Sequence, residues 1–283
     1  MIKLALTDLD DTLIPLKRRD DPASPRAVEA IHAMLDAGLR FGPVSGRTPS
    51  SMARTFAGDE RCYATGAYAN GQIVMLDGEV IHRAWCSAEA LQKVVDVMDD
   101  LGEGVLSVYD VELPGTPATF VTARPEIVEA ANVWFSDVPP IVERVGQPYL
   151  KANVHSAVPR ERLVQIRDIL RAEVPELGFV FPSPTAPLID ITPAGYGKGS
   201  AVVILADAIG IGRDEVAVFG DSENALTMLH AVPNSVAVAN ASAEAAAAAR
   251  WHIGASEDEG VAEALLDIAA AAKTGSMPTF MQE

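Results

Sequence analysis

Cysteine is scarce in this chain, with two residues, Cys62 and Cys86, among 283. They form neither a CxxC pair nor a disulfide framework, so a reducing compartment and a cytoplasmic protein are expected. The five histidines, His32, His82, His155, His230 and His252, do not show the spacing of a local zinc motif. Positive charge is also short: 22 Lys and Arg stand against 39 Asp and Glu, a formal net charge of −17. Nucleic acid and anionic membrane both require a basic footprint, so neither is expected as a partner. No apolar run approaches the roughly 18 residues of a membrane span. The opening MIKLALTDLDD turns acidic too soon for a signal peptide.

What is present is a large apolar fraction, 49%, much of it alanine, with few aromatics. That suffices for one large core or two modest ones. Residues 2–9 read as a strand buried on both faces. Ser24-Pro25 opens a helix as N-cap and first helical residue, with Val28, Ile31 and Leu35 on one face and Gly38 at its end. A second strand, 39–44, runs into Ser45-Gly46-Arg47. The first 45 residues are thus the β-loop-α-β unit of a parallel sheet. Asp77-Gly78, between residues 73–76 and 80–82, signals a hairpin.

After Arg83 the pattern changes. Residues 87–101, 126–135 and 160–173 read as helices, and 105–110, 118–122, 141–145 and 149–155 as strands. This αββ pattern occurs twice and predicts a small α+β domain with an antiparallel sheet. Pro182, Pro184 and Pro187 mark a stiff return. Strands at 188–191, 216–219 and 236–239 then alternate with helices at 198–209, 243–249 and 261–272. The expected organisation is an α/β core over 1–83 and 187–283, interrupted by an α+β insert over 84–186.

Asp8, Ser45 and Asp221 fall just past the C-terminal ends of predicted strands, and Lys198 starts a helix after a fourth. Ligands of open parallel sheets bind outside those ends. In Asp8-Leu9-Asp10-Asp11-Thr12, one carboxylate can attack phosphorus and the second can serve as general acid and then base. Carboxylate oxygens also suit magnesium. Ser45-Gly46-Arg47-Thr48-Pro49 places a hydroxyl and backbone N–H groups where a phosphate oxygen could sit. Lys198 opposes the helix dipole, which argues for a role beside an anion. In Gly220-Asp221-Ser222-Glu223-Asn224, Asp221 would complete a metal site and Asn224 would orient phosphate or a water. Each motif alone has an ordinary structural reading; it is their order and placement that speak together.

With these motifs the sequence resembles the haloacid dehalogenase-like superfamily, specifically its Cof-type sugar-phosphate phosphatases. The residues are DLDDT at 8–12, SGRT at 45–48, KG at 198–199 and GDSEN at 220–224, supported by Asn70-Gly71 and the stretches around 188–199, 236–245 and 256–265. The resemblance implies a Rossmann-like parallel-sheet core with an inserted α+β cap domain, and a Mg2+-dependent phosphatase acting on a small phosphorylated metabolite through an aspartyl-phosphate. It implies Asp8 as nucleophile and metal ligand, Asp10 as acid/base whose carbonyl also reaches the metal, and Lys198 bridging nucleophile and phosphate. Asp221 would ligate the metal, and Ser45, Gly46, Arg47 and Asn224 would serve substrate.

One position departs: Ala225 stands where the family usually carries an acid. Weaker magnesium binding is expected from that loss, and tighter binding from Ala225→Asp. A phosphomutase of the same superfamily and a degenerate phosphate-ligand binder are the rival readings. In the strand 149–155, alternation puts Lys151, Asn153 and His155 on one face. If helices cover the other face, these three are candidate substrate contacts.

Overall fold

The computed structural model of the chain describes residues 1–111, 118–132, 135–183 and 185–282. They divide into two compact units, 1–82 with 197–283, and 83–196.

The first unit opens with β1 (Leu4–Thr7), every residue of it buried. Helix α1 (Pro25–Asp36) begins as the sequence predicts: the Ser24 hydroxyl accepts from Ala27 N at 3.0 Å, with proline at the first position. Its buried stripe is Ala27, Ala30, Ile31 and Met34, rotated from the expected one. Small alanines let the helix lie close to its neighbours, and Val28 and Leu35 sit at the margin. Then come β2 (Arg40–Pro43) and the short α2 (Met52–Thr55). Strands β3 (Gly66–Tyr68), β4 (Ile73–Leu76) and β5 (Glu79–Arg83) form a small sheet of their own. Asp77 and Gly78, with φ of 53° and 88°, make the tight turn that Asp-Gly predicts.

The second unit runs α3 (Ala88–Leu101), β6 (Val105–Tyr109), β7 (Thr119–Val121), α4 (Val128–Ala131), β8 (Ile141–Val142), β9 (Lys151–His155), α5 (Arg160–Glu173), β10 (Leu177–Val180) and β11 (Leu188–Pro193). The αββ pattern therefore occurs three times, not twice. The helix expected over 126–135 is a turn at Pro125–Ile127 followed by α4, and residues 133–134 lie outside the described residues, as does Pro184. The six strands are ordered β10-β11-β9-β6-β7-β8, all antiparallel except the β7–β8 edge pair. The strand expected in the core at 188–191 is β11, an interior strand of this sheet. A short apolar run such as LIDIT cannot announce which sheet will bury it. Residues Leu91, Val94, Val95, Leu163 and Ile166 of α3 and α5 share one apolar cluster with Ala152 and Val154 of β9, so helices cover that face.

The chain then returns to the first unit with α6 (Lys198–Ile209), β12 (Val216–Gly220), α7 (Leu226–Leu229), β13 (Asn234–Val238), α8 (Ala243–Ala248), β14 (Trp251–Ile253) and α9 (Gly260–Thr274). Five parallel strands are ordered β14-β13-β12-β1-β2. Alternation sends Leu4, Leu6, Val216 and Val218 into the apolar cluster of α6 and α7. Helices α1 and α9 pack on one another, beside β2 and β14 respectively. A parallel sheet sheathed by helices matches the Rossmann-like core that the resemblance implies. Among the described residues no helix is long and apolar enough to cross a membrane.

Candidate active site

β1 and β12 are hydrogen-bonded neighbours, so the residues that follow them, Asp8 and Asp221, emerge side by side. Asp8 N donates to Phe219 O at 2.9 Å, and Val44 N to Thr7 O at 2.7 Å, which brings the Ser45 loop to the same rim. Asp8 is buried; its Oδ1 accepts from Leu9 N at 2.7 Å and its Oδ2 from the Lys198 ammonium. Lys198 is the first residue of α6 and also buried. Its neighbour must be glycine, because a Cβ on Gly199 would lie 2.2 Å from Thr227 O, where α6 meets α7. Gly199 N donates to Thr227 Oγ1 at 3.1 Å and fixes that approach.

Asp221 accepts from Thr12 Oγ1 at 3.0 Å and Ser222 Oγ at 3.1 Å. Burial, with the Asp8 charge adding to it, pushes the Asp221 carboxyl up to about 7; Lys198, Thr12 and Ser222 oppose. Burial likewise raises Asp8 above the ordinary carboxylate range, while Lys198 pulls the other way. Two buried acids thus share one ammonium. Their oxygens, with the hard carbonyl donors of the loop, suit a small divalent cation, which would supply the missing positive charge.

Asp10 holds Arg47 in a fork, from Nη2 to Oδ1 at 2.5 Å and Nε to Oδ2 at 3.2 Å. Arg47 also donates to Arg19 O at 2.7 Å and Thr55 Oγ1 at 3.0 Å. Ser45 is buried, its hydroxyl accepting from Arg47 N at 3.1 Å. The backbone of the Ser45–Arg47 loop is strapped down by Ser45 N to Ala67 O, Ala69 N to Arg47 O and Asn70 N to Ser45 O, each at 2.9 Å. Gly46 lies half-buried between them. Asn224 is buried and accepts from Ser222 Oγ at 3.3 Å.

Ala225, where the resemblance leads one to expect an acid, is an apolar packing residue. It is fully buried in the cluster of α6 and α7 residues, and a Cβ placed on Gly220 would lie 2.6 Å from its methyl group. The position is a packing contact against β12.

Lys151, Asn153 and His155 lie together in the second unit, on the sheet face opposite α3 and α5. Lys151 Nζ donates to Asp190 Oδ1 at 2.7 Å, and Asn153 Nδ2 donates to the same oxygen. His155 Nε2 meets Ser107 Oγ at 2.9 Å, with the rings of Phe120 and Phe135 at 5.7 and 5.4 Å. Sequence reasoning missed Asp190, the hub of this network. An acid inside LIDIT was the available signal, hidden by assigning that strand to the core.

The haloacid dehalogenase-like hydrolase family matches residues 5–265. Over 262 residues the chain is 30% identical to a phosphoglycolate phosphatase of Methanothermobacter thermautotrophicus, covering 91% of this chain and 95% of that protein. A phosphoglycolate phosphatase of Methanoculleus marisnigri is 29% identical, over 89% and 90%. Among solved structures, a phosphatase of the haloalkanoate superfamily from Bacteroides thetaiotaomicron shares the fold with a TM-score of 0.75, 20% identity and 94% of each chain covered. A subclass IIB sugar phosphatase shares it with a TM-score of 0.73 at 17% identity, covering 96% and 99%.

Proposed function

Because the chain belongs to the haloacid dehalogenase-like hydrolases and is a phosphoric monoester hydrolase, we propose that it cleaves a small phosphorylated metabolite through a covalent aspartyl-phosphate on Asp8. The observation that carries this reading is the buried Asp8–Lys198 pair with Asp221 beside it at the strand ends. An Asp8 carboxylate oxygen attacks phosphorus, and the bond from phosphorus to the ester oxygen breaks. Asp10, in its protonated form, gives that departing oxygen its proton, and the dephosphorylated product leaves as an alcohol carrying it. Asp10, now a carboxylate, takes a proton from water; the water oxygen attacks phosphorus, and the bond to Asp8 breaks, freeing phosphate and the nucleophile.

Lys198 offsets charge on the transferring phosphoryl group, and the Ser45 hydroxyl and the backbone around Gly46 hold its oxygens. Arg47, gripped by Asp10 in the free enzyme, is a second cation for the substrate, and Asn224 steadies phosphate or a water. Mg2+ is the proposed cofactor; Asp8, the Asp10 carbonyl and Asp221 would hold it, and it would supply positive charge where the two buried acids crowd. Lys151, Asn153 and His155 are proposed to contact the non-phosphoryl part of the substrate. Neither Cys62 nor Cys86 forms a disulfide, which favours a cytoplasmic setting.

The relatives named phosphoglycolate phosphatase make 2-phosphoglycolate the first substrate to try. Phosphate release would be measured with magnesium over 2-phosphoglycolate, sugar phosphates and nucleotides. Release from at least one, abolished by chelator and by Asp8→Asn, is expected. No release from any would leave the site a phosphate binder. Turnover that requires an activating bisphosphate would make it a mutase.

A further inference from the structure

A second cluster of metal-ligating side chains lies in the first unit, apart from the acids at the strand ends. His32 projects from α1. Asp59 and Cys62 lie at either end of the 3₁₀ turn Glu60–Cys62, three residues apart and so on one side of it. One imidazole nitrogen, one carboxylate oxygen and one sulfur lie within 4.8 Å of one another. We propose that His32, Asp59 and Cys62 bind a zinc-type divalent cation, distinct from the magnesium of catalysis, with water as fourth ligand.

The donor set is the first argument. Sulfur and imidazole favour borderline-soft cations such as zinc, whereas magnesium takes oxygen. The second is geometry. With zinc–ligand lengths of about 2.0–2.3 Å, a tetrahedral site has ligand-to-ligand edges of roughly 3.3–3.8 Å. His32 Nε2 and Asp59 Oδ2, now 2.6 Å apart in a hydrogen bond, need open by only about an ångström to exchange a shared proton for a cation. The third is rigidity. Asp59 Oδ1 accepts from Arg61 N at 3.2 Å, which leaves Oδ2 for the cluster, and Cys62 N donates to Asp59 O at 3.1 Å. The fourth is access. Cys62 is fully buried while His32 and Asp59 stay about one-third exposed, so the site is closed at the sulfur and open at the other two ligands.

Burial, reinforced by the Asp59 charge, pushes the Cys62 thiol up to about 12, so without a cation it is protonated. A bound cation would displace that proton, as thiolate ligation requires. The turn leads directly into β3, whose Ala67 carbonyl holds Ser45 N. An ion here would therefore tie α1 to the segment that supports the phosphate loop.

Cobalt tests this, because thiolate-to-cobalt charge transfer reports sulfur ligation directly. Full-length protein stripped by chelator and then titrated with Co2+ in excess Mg2+ should develop the near-ultraviolet charge-transfer band and the intense visible bands of a tetrahedral site. Cys86→Ser should keep them and Cys62→Ser should lose them. Zinc should bind at one equivalent in these conditions and raise Tm by a few degrees. In His32→Gln that affinity should fall by more than about tenfold, the scale at which even outer-shell changes act. His32 is partly exposed, so this variant keeps the test decisive should Cys62→Ser not fold. No charge-transfer band in the wild type, or zinc affinity unchanged in His32→Gln, would overturn the site and leave a hydrogen-bonded pair beside a buried thiol.

Discussion

Asp10 grips Arg47 through both of its carboxylate oxygens, and Arg47 gives two further donors to Arg19 O and Thr55 Oγ1. The acid assigned to protonate the leaving group is thus anchored to the loop that carries Ser45, and both must move together if either misplaces. Asp10→Ala should lower turnover of an alkyl phosphate by roughly 10²–10⁴-fold. An aryl phosphate, whose leaving group needs no proton, should lose far less. Steady-state kinetics on the two substrates decide it; equal losses would remove Asp10 from the proton-transfer role.

The Asp8–Lys198 pair is buried on both sides, its side chains 5% and 0% exposed. Lys198→Met would leave Asp8 and Asp221 without their shared cation. Breaking a buried pair from one side typically costs about 3–5 kcal/mol. Turnover should fall by at least about 10²-fold, the scale of losing one preorganised donor. Urea unfolding and phosphate release measure the two effects; a variant as stable and active as wild type would show that Lys198 is not the counter-charge.

Ala225 presses against Gly220 in the apolar cluster of α6 and α7. A carboxylate there would enter a buried apolar cluster, and overpacking alone costs about 1–3 kcal/mol. Ala225→Asp should therefore lower Tm and leave magnesium affinity equal or weaker. Tighter magnesium binding in a titration of the two proteins would restore the view that an acid is missing.

The fold of the first unit was legible because its signals are local. Ser24-Pro25 starts α1, Asp77-Gly78 turns the hairpin, and three strands end in reactive residues. The strand at 188–193 was not legible as part of the second sheet. Its partners β9 and β10 are set by tertiary pairing, and LIDIT is equally apolar in either sheet. Asp190 went unseen for the same reason. The Asp10–Arg47 fork was hidden because no spacing rule links residues 37 apart. Histidine spacing likewise gave no hint that His32 would meet Asp59 and Cys62, since a helix and a distant turn bring them together.

His155 offers a pH test confined to the second unit. Burial holds its imidazole down to about 4 from an ordinary 6.5; the Lys151 charge adds to this and Asp190 opposes it. Its Nε2 meets Ser107 Oγ and, at 3.4 Å, Tyr109 Oη, while Nδ1 has no partner. The folded chain takes up this proton only below about 4, whereas the unfolded chain takes it up near 6.5. The stabilisation from a neutral His155 is thus complete above 6.5 and is lost as pH falls toward 4. Over that interval the loss is at most about 3 kcal/mol. His155→Leu removes the titrating group while keeping an apolar side chain between Phe120 and Phe135. Wild-type Tm should fall more steeply than that of His155→Leu between pH 6.5 and 4. Carboxylates titrate in both proteins and cancel in the difference. Parallel Tm curves for the two would show that His155 takes up its proton in the folded chain as readily as in the unfolded one.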